Sequence, residues 1–216
     1  MGTFHNANSR IGKLGEGAAA EYFINALDAT KVEDLSKIPE WQAVDVDMRV
    51  TLATGFQFLA EVKADSKDFG SILVEIVSND TKPLDDPKRL GWIYKTKADI
   101  IYVYKSWTMS LYALNRRQLL EFVQKVGSNY HWCYGYTNDK NGRLLYRSKN
   151  LIIPRKELID AGILREVAMH TTAPIRQKDG EYVGFGSWYR YNPGFTCSEN
   201  VFRAIALSTN KIVPAA

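Results

Sequence analysis

The sequence has few cysteines and no long hydrophobic run. Cys133 and Cys197 are its only two cysteines among 216 residues, too few for a disulfide framework. The longest uncharged apolar stretches, such as 100–104 and 151–154, are far shorter than the roughly 20 residues that span a bilayer. The first residues lack the basic start and apolar stretch of a secretory signal. We therefore expect a cytoplasmic protein that has no membrane partner.

The composition is that of a globular protein with a substantial core. Hydrophobic residues make up 45% of the chain and charged residues 24%, close to the average for globular proteins. The charge is uneven: residues 1–138 carry 16 Lys and Arg against 17 Asp and Glu, whereas residues 139–216 carry 12 against 7. A basic C-terminal third favours a polyanionic partner, although a solvated surface explains the charge alone equally well.

Hydrophobic periodicity predicts a mixed α/β fold with flanking helices. The predicted helices cover 11–27 and 116–126, and the predicted strands cover 44–51, 56–63, 71–77, 99–104 and 107–114. The glycines at the start of the first helix lack the Gly-Lys-Ser/Thr ending of a phosphate-binding loop, which favours close helix packing instead. The character of the chain changes near residue 127. We predict a core over 1–126 and a basic, aromatic-rich, β-rich extension over 127–216 that packs on it.

The strongest local signal is the segment Glu61-Val62-Lys63. On a strand, Glu61 and Lys63 project to the same face because side chains alternate. A turn at Thr54–Gly55 would fold the preceding strand, which carries Asp45 and Asp47, back beside them. Carboxylate oxygens suit Mg²⁺, which takes one or two of them and keeps several waters. An ammonium beside such a site is able to stabilise charge that develops on a phosphate.

These residues resemble the PD-(D/E)xK nuclease superfamily. The resemblance rests on Asp47 followed by Glu61-Val62-Lys63, on Glu16 in the preceding helix, and on three later segments: the strand at 70–78 that carries a glutamate, Gly91-Trp92, and the Ala98-Asp99 that leads into a buried strand. It covers about residues 9–126 and implies a restriction-endonuclease-like core. It also implies that Asp47, Glu61 and Glu16 bind Mg²⁺, with Mn²⁺ as a substitute, that Lys63 is catalytic, and that a homodimer is an option.

Three acidic residues have alternative interpretations. Val46 stands where the motif often has proline, and Asp45 qualifies as the first carboxylate as well as Asp47, which we prefer. Glu75 either points into the same patch or is exposed on a half-buried strand. Glu16 either takes part in the site, as the resemblance implies, or stabilises its helix as an acidic residue near the positive, N-terminal end of the helix dipole.

The C-terminal third offers a second, weaker set of candidates. Its basic residues are interleaved with aromatic segments at 130–136 and 187–191, a composition that suits nucleic acid. We expect most of these aromatics to be sheet core, with a hairpin turn at Asp139–Gly142. A zinc site made of His131, Cys133, His170 and Cys197 is disfavoured because no Cys-x-x-Cys pair is present. The candidate nucleic-acid-binding residues are Arg143, Arg147, Lys149, Arg155, Lys156 and Arg190.

Two functions are consistent with the sequence. The first is a Mg²⁺-dependent deoxyribonuclease, an endonuclease by preference, in which Asp47 and Glu61 hold the metal and Lys63 positions the attacking water. The second is a module that keeps the nuclease fold without the chemistry and binds nucleic acid or a protein partner. In that case Glu61 and Lys63 form a structural ion pair.

Overall fold

The computed structural model describes residues 4–65 and 69–169, and two short strands at 175–176 and 182–184. Side chains are described for 11–65 and 69–167. The helices of the described part are α1 (Phe4–Ala26), α2 (Pro39–Gln42), α3 (Trp92–Lys95), α4 (Arg116–Val126) and α5 (Arg155–Asp160). Its strands are β1 (Ala29–Asp34), β2 (Met48–Leu52), β3 (Gln57–Asp65), β4 (Ser71–Val77), β5 (Ile100–Lys105), β6 (Ser110–Asn115), β7 (Trp132–Asn138), β8 (Leu144–Pro154), β9 (Leu164–Met169), β10 (Ile175–Arg176) and β11 (Tyr182–Gly184).

Two sheets form the frame of the fold. The larger has six strands in the order β1-β2-β3-β5-β6-β9, and only its β3–β5 pair is parallel. The smaller sheet has the order β4-β8-β7 and is antiparallel, and β10 pairs with β11. The class is therefore mixed α/β with a mixed sheet and flanking helices, as predicted.

The large sheet is covered on both faces. On one face, α1 packs Leu14, Ala18, Ala19, Tyr22 and Phe23 onto a core that includes alternate residues of β2, β3 and β5. On the other face, a second core joins β5 and β6 to α3, α4, α5 and the small sheet. The small sheet therefore lies as a second layer over the middle of the large one. The candidate residues on β3 face the gap between these layers.

Most predicted elements are confirmed, and two differ for physical reasons. The strand at 71–77 and the helix at 116–126 have the predicted bounds. The strand predicted from residue 44 begins only at Met48, because Asp45 has a left-handed backbone (φ 44°) that interrupts an extended chain. The edge strand β1 was missed, since its sequence ATKVED is largely polar and its side chains are half-buried or exposed.

Strands that follow residue 127 complete both sheets. β8 pairs with β4 along six positions, and β9 pairs with β6 at the edge of the large sheet. The turn predicted at Asp139–Gly142 is confirmed, with the Gly142 amide donating to the Asp139 carbonyl at 3.0 Å. The division into a core and an extension stays a prediction. Among the described residues, no helix has the length and apolar character needed to cross a membrane.

Gly15 allows α1 to approach β3 closely, so alanine at Gly15 and alanine at Gly12 should have opposite effects on stability. A Cβ at Gly15 would lie 2.8 Å from the Cβ of Ala64, whereas a Cβ at Gly12 would meet nothing within 4 Å. Gly12→Ala should therefore raise the free energy of unfolding by about 0.5–1 kcal/mol. Gly15→Ala should lower it by about 1–3 kcal/mol through overpacking. Denaturant unfolding of both variants checks this, and equal stability of the two would contradict the packing described.

Candidate active site

The site begins where β2 and β3 part. Their pairing ends at Met48 opposite Ala60, while β3 continues to Asp65 beside β5. The Asp47 amide still donates to the Ala60 carbonyl at 3.0 Å. Beyond this point β2 no longer pairs with β3, and the Asp47 carboxylate provides the hydrogen-bond acceptor instead. Its Oδ2 accepts a hydrogen bond from the Val62 amide at 2.8 Å. The divergence of the strands thus fixes the Asp47 carboxylate beside Glu61.

The alternation of β3 places the motif residues on one side. Ala60 and Val62 face α1 and belong to its core, as predicted. Glu61 lies opposite Ile101 of β5, and Lys63 lies opposite Val103. Both of these β5 residues belong to the second core, between the two sheets. Glu61 and Lys63 consequently project into the gap between the layers, where their side chains contact each other in an ion pair.

Glu61 is a buried carboxyl with an unsatisfied oxygen. The residue is 3% exposed, and its Oε2 is buried with no hydrogen-bond partner among the described residues. Burial, and to a smaller degree the negative charge of Asp47, raises the pKa of Glu61 to about 8, against the opposing effect of Lys63. Burial also raises the pKa of Asp47, although its hydrogen bond from Val62 opposes the shift. Two carboxyls therefore share a site that favours an additional positive charge.

Lys63 supplies one positive charge at this site. Its side chain is 34% exposed. Burial lowers the pKa of Lys63, but the carboxylates of Glu61, Asp45 and Asp47 outweigh it and raise the pKa overall. Lys63 therefore keeps its charge near neutral pH. A partly exposed lysine that lines the gap is suited to contact an anion that enters it.

A cleft of about 370 Å³ opens onto Lys63 between the two sheets. Its floor is Lys63, Asp65 and Val103 of the large sheet, and its opposite wall comes from β4, β8 and α3. The wall residues Lys95 and Asn150 were not identified from the sequence, because neither belongs to a recognisable motif. The cleft places a lysine and polar groups next to the carboxyl pair, and it is large enough to admit a phosphate.

Asp45 and Glu75 both line this cleft. The Asp45 carboxylate forms an ion pair with Lys95 at 3.1 Å, while Asp47 is the residue that lies against Glu61. The geometry thus agrees with our preference for Asp47 as the first carboxylate, and its role as a ligand stays a prediction. Glu75 is half-buried in the cleft, where burial raises its pKa and the charge of Lys63 opposes that shift.

The Gly91-Trp92 pair is explained by its contact with β4. A Cβ at Gly91 would lie 2.1 Å from the carbonyl oxygen of Glu75, so only glycine permits α3 to begin against this strand. The Gly91 amide donates to the Ile76 carbonyl at 3.2 Å, and the backbone of Trp92 hydrogen-bonds the Glu75 side chain. The pair therefore holds Glu75 in the cleft wall.

Glu16 approaches the site from α1. Burial raises the pKa of Glu16, and the next contribution is the negative charge of Asp47, followed by that of Asp34. The carboxylate is therefore within electrostatic reach of Asp47. Within the described residues, however, no three His, Cys, Asp or Glu side chains are grouped closely enough to hold a metal ion. The role of Glu16 as a metal ligand stays a prediction.

The carboxyl pair nevertheless fits a divalent cation. Mg²⁺ commonly binds one or two carboxylates and completes its shell with water, and Asp47 and Glu61 provide two such groups. The unsatisfied Oε2 of Glu61 is an oxygen that lacks a donor, and a bound cation would satisfy it. Burial is the main cause of the raised pKa values of both carboxyls, and the charge of Lys63 offsets it only in part.

The candidate nucleic-acid-binding residues are scattered over the described surface. Arg147 and Lys149 lie on β8 and stack on aromatic rings of β7. Arg143 lies at the end of the β7–β8 turn, while Lys156 pairs with Asp160 along α5 and Arg155 lies over the Tyr112 ring. Arg190, the aromatic segment 187–191, His170 and Cys197 lie outside the described residues.

We expected most of the aromatics in this third of the chain to be sheet core, and two of those in the segment 130–136 are not. Tyr130 packs against the second core, but Trp132 is 47% exposed and Tyr136 is 65% exposed. Tyr136 pairs with Arg147, a β8 residue beyond the part that pairs with β4, whereas Trp132 pairs with Leu151, which β4 also pairs. Alternation alone does not reveal which face of an antiparallel pair is covered.

Comparison of the chain with protein-family models, curated proteins and solved structures found no match. The interpretation of the site therefore depends on the residues and their geometry.

The raised pKa of Glu61 predicts a pH-dependent stability in the absence of metal. Between its ordinary value of 4.5 and about 8, folded Glu61 keeps a proton that the unfolded chain releases. Stability should consequently fall as the pH rises through this window, by up to about 1.4 kcal/mol per pH unit. Glu61→Gln removes this titration and should flatten the profile.

The test is denaturant unfolding in EDTA at several pH values between 5 and 8. Asp47, Glu16 and Glu75 also have raised pKa values, so the quantity to compare is the difference between wild type and Glu61→Gln. Glu121→Gln, at an exposed position on α4, is the matched control and should run parallel to wild type. Parallel profiles for Glu61→Gln as well would mean that Glu61 titrates normally.

Proposed function

We propose that this protein is a Mg²⁺-dependent nuclease that hydrolyses DNA phosphodiester bonds. The observation that carries the proposal is the convergence of Asp47, Glu61 and Lys63 at the divergence of β2 and β3, with a cleft at Lys63. This is the arrangement that the resemblance to the PD-(D/E)xK superfamily implies for the same three residues. A restriction-endonuclease-like core is the corresponding interpretation of the mixed sheet.

Asp47 and Glu61 would hold the cation, and Glu16 is positioned to add its charge. When bound, Mg²⁺ would polarise the scissile phosphate and favour deprotonation of the attacking water. Glu61 must lose its proton to serve as a ligand, so cation binding should strengthen as the pH rises towards 8. The buried setting of Glu61 fixes its carboxyl in one orientation, which is what a pre-organised site requires.

In this proposal, Lys63 is the residue that acts on the substrate. Its ammonium projects into the cleft from the same face as Glu61. It would orient the attacking water and stabilise the negative charge that develops on the phosphate oxygens. The hydrogen bond from the Lys63 ammonium to Glu61 restrains the lysine side chain, and the charge of Lys63 lowers the pKa of Glu75. The lysine is thus positioned before the substrate arrives.

Lys63→Ala should reduce the rate of metal-dependent DNA cleavage by about 100-fold or more, since a stabilising charge at the reacting phosphate is lost. Cleavage by wild type should require Mg²⁺ or Mn²⁺ and stop in EDTA. The measurement is cleavage of plasmid, linear duplex, single-stranded and branched DNA, and of RNA.

The control is Lys125→Ala, which removes an exposed lysine of α4 that lies outside the cleft and should cleave as wild type does. Cleavage that persists in Lys63→Ala would show that the active site lies elsewhere. Absence of cleavage by wild type on every substrate would contradict the proposal.

The contact between Glu61 and Lys63 favours one other function, a nuclease-fold module that binds without hydrolysis. In that case the Glu61–Lys63 ion pair is structural and no cation is needed. Metal dependence of the melting temperature separates the two. Under the nuclease proposal, millimolar Mg²⁺ or Mn²⁺ raises the melting temperature of wild type, because a ligand of the folded state stabilises it.

Asp47→Asn should abolish this metal-dependent rise, while Glu121→Gln should retain it. A rise of equal size in Asp47→Asn would place the cation at another site, and no rise in wild type would favour the binding module.

A further inference from the structure

The β7–β8 hairpin carries an exposed row of aromatic rings. Trp132, Tyr134 and Tyr136 alternate along β7 and therefore share one face. Neighbouring ring centroids are 4.9 Å and 6.4 Å apart. Trp132 and Tyr136 are largely exposed, as described above, while Tyr134 is half-buried. Rings in such a row normally pack under another element, and here the described part of the chain leaves them open to solvent.

Cations from β8 lie among these rings. Lys149 is opposite Tyr134 and Arg147 is opposite Tyr136 in the strand register. The Lys149 ammonium is 4.3 Å from the centroid of the Trp132 ring, and the Arg147 guanidinium is 4.4 Å from that of Tyr134. Arg147 also pairs with Asp80 at 2.6 Å, whereas Lys149 makes no ion pair within the described residues. The row is therefore positively charged as well as aromatic.

The row continues into a second cleft. This cleft, of about 350 Å³, is lined by the rings of Tyr94, Tyr130 and Trp132 and by Lys149. Its lining shares no residue with that of the cleft at Lys63. Residues 132–149 carry four Lys and Arg against one Asp, and the tip cations Lys140 and Arg143 make no ion pair within the described residues.

We propose that this face, made of Trp132, Tyr134, Tyr136, Arg147, Lys149 and the adjoining cleft, binds single-stranded nucleic acid. Unstacked bases would pack on the exposed rings, and the phosphates would meet Lys149 and the tip cations. Charge complementarity selects a polyanion, and the open rings select one that has free aromatic faces. Bases of a duplex are stacked on each other and do not offer such faces, so double-stranded DNA fits this surface poorly.

This binding is separate from the proposed hydrolysis, since no residue of the row belongs to the carboxyl site. The two clefts have no lining residue in common. The surface would accordingly hold an unpaired segment of the nucleic acid at a position other than that of cleavage.

The experiment measures binding of fluorescein-labelled oligothymidylate of about 20 nucleotides in EDTA, so that no cleavage occurs; single-strand sites typically cover roughly 4–16 nucleotides. Wild type should bind it, and Trp132→Ala and Tyr136→Ala should each weaken binding by about tenfold. Lys149→Ala should weaken binding and reduce the slope of log affinity against log salt by about one. Oligouridylate of the same length tests whether RNA is also bound.

Matched controls separate stacking from charge and from misfolding. Trp107→Ala removes a tryptophan that is 78% exposed in another turn and should bind as wild type does. An abasic oligonucleotide of equal charge should bind at least tenfold more weakly, as should polyglutamate and duplex DNA. Tyr136 is more exposed than Trp132, so Tyr136→Ala provides the test even if Trp132→Ala unfolds.

Three results would overturn the proposal. The first is binding of the oligonucleotide that Trp132→Ala and Tyr136→Ala leave unchanged, and the second is equal affinity for abasic DNA or polyglutamate, which would indicate a surface for an acidic protein. The third is no binding at all. Binding is measured without metal and hydrolysis with it, so loss of binding in Tyr136→Ala and loss of cleavage in Lys63→Ala are separate readouts, and failure of the nuclease proposal and failure of this one give different results.

Discussion

The divergence of β2 from β3 after the Met48–Ala60 pair is the constraint on which the site depends. A strand that loses its neighbour exposes amide groups, and buried amides require partners. Here the partner is the Asp47 carboxylate, which accepts from Val62 at 2.8 Å. The same hydrogen bond therefore completes the β3 backbone and holds Asp47 against Glu61. This one contact both pairs a backbone amide of β3 and positions the Asp47 carboxylate, so it restricts which side chains residue 47 can have.

Holding the Asp47 and Glu61 carboxyls together largely out of water costs electrostatic free energy, which the rest of the fold offsets. Glu61 and Asp47 are acidic groups held together largely out of water, and the pKa of each is raised. The ion pair with Lys63 and the two packed cores on either side of the large sheet keep them in place. Buried, mutually repelling carboxyls contribute little to folding stability, and such groups are concentrated at functional sites. This physical argument favours a site over a structural ion pair.

Much of the candidate site could be predicted from the sequence. Alternation in 56–63 placed Glu61 and Lys63 on one face, and the Thr54–Gly55 turn brought the preceding strand beside them. The sequence was not sufficient to predict features that depend on pairing between distant segments. The left-handed backbone at Asp45, the cleft wall with Lys95 and Asn150, and the exposure of Trp132 and Tyr136 all depend on segments distant in the chain. Local patterns carry no information about which distant segment covers a face.

The pairing of β4 with β8 also determines when the cleft can exist. β4 ends at Val77, and its partner β8 does not end until Pro154, so the far wall is built from segments widely separated in the chain. Loops of this length close late compared with local hairpins. During synthesis, β2 and β3 can pair and bring Asp47 to Glu61 long before β8 has been made. The carboxyl pair and the wall that faces it are therefore built from segments that are synthesised at different times, and the wall is the later of the two.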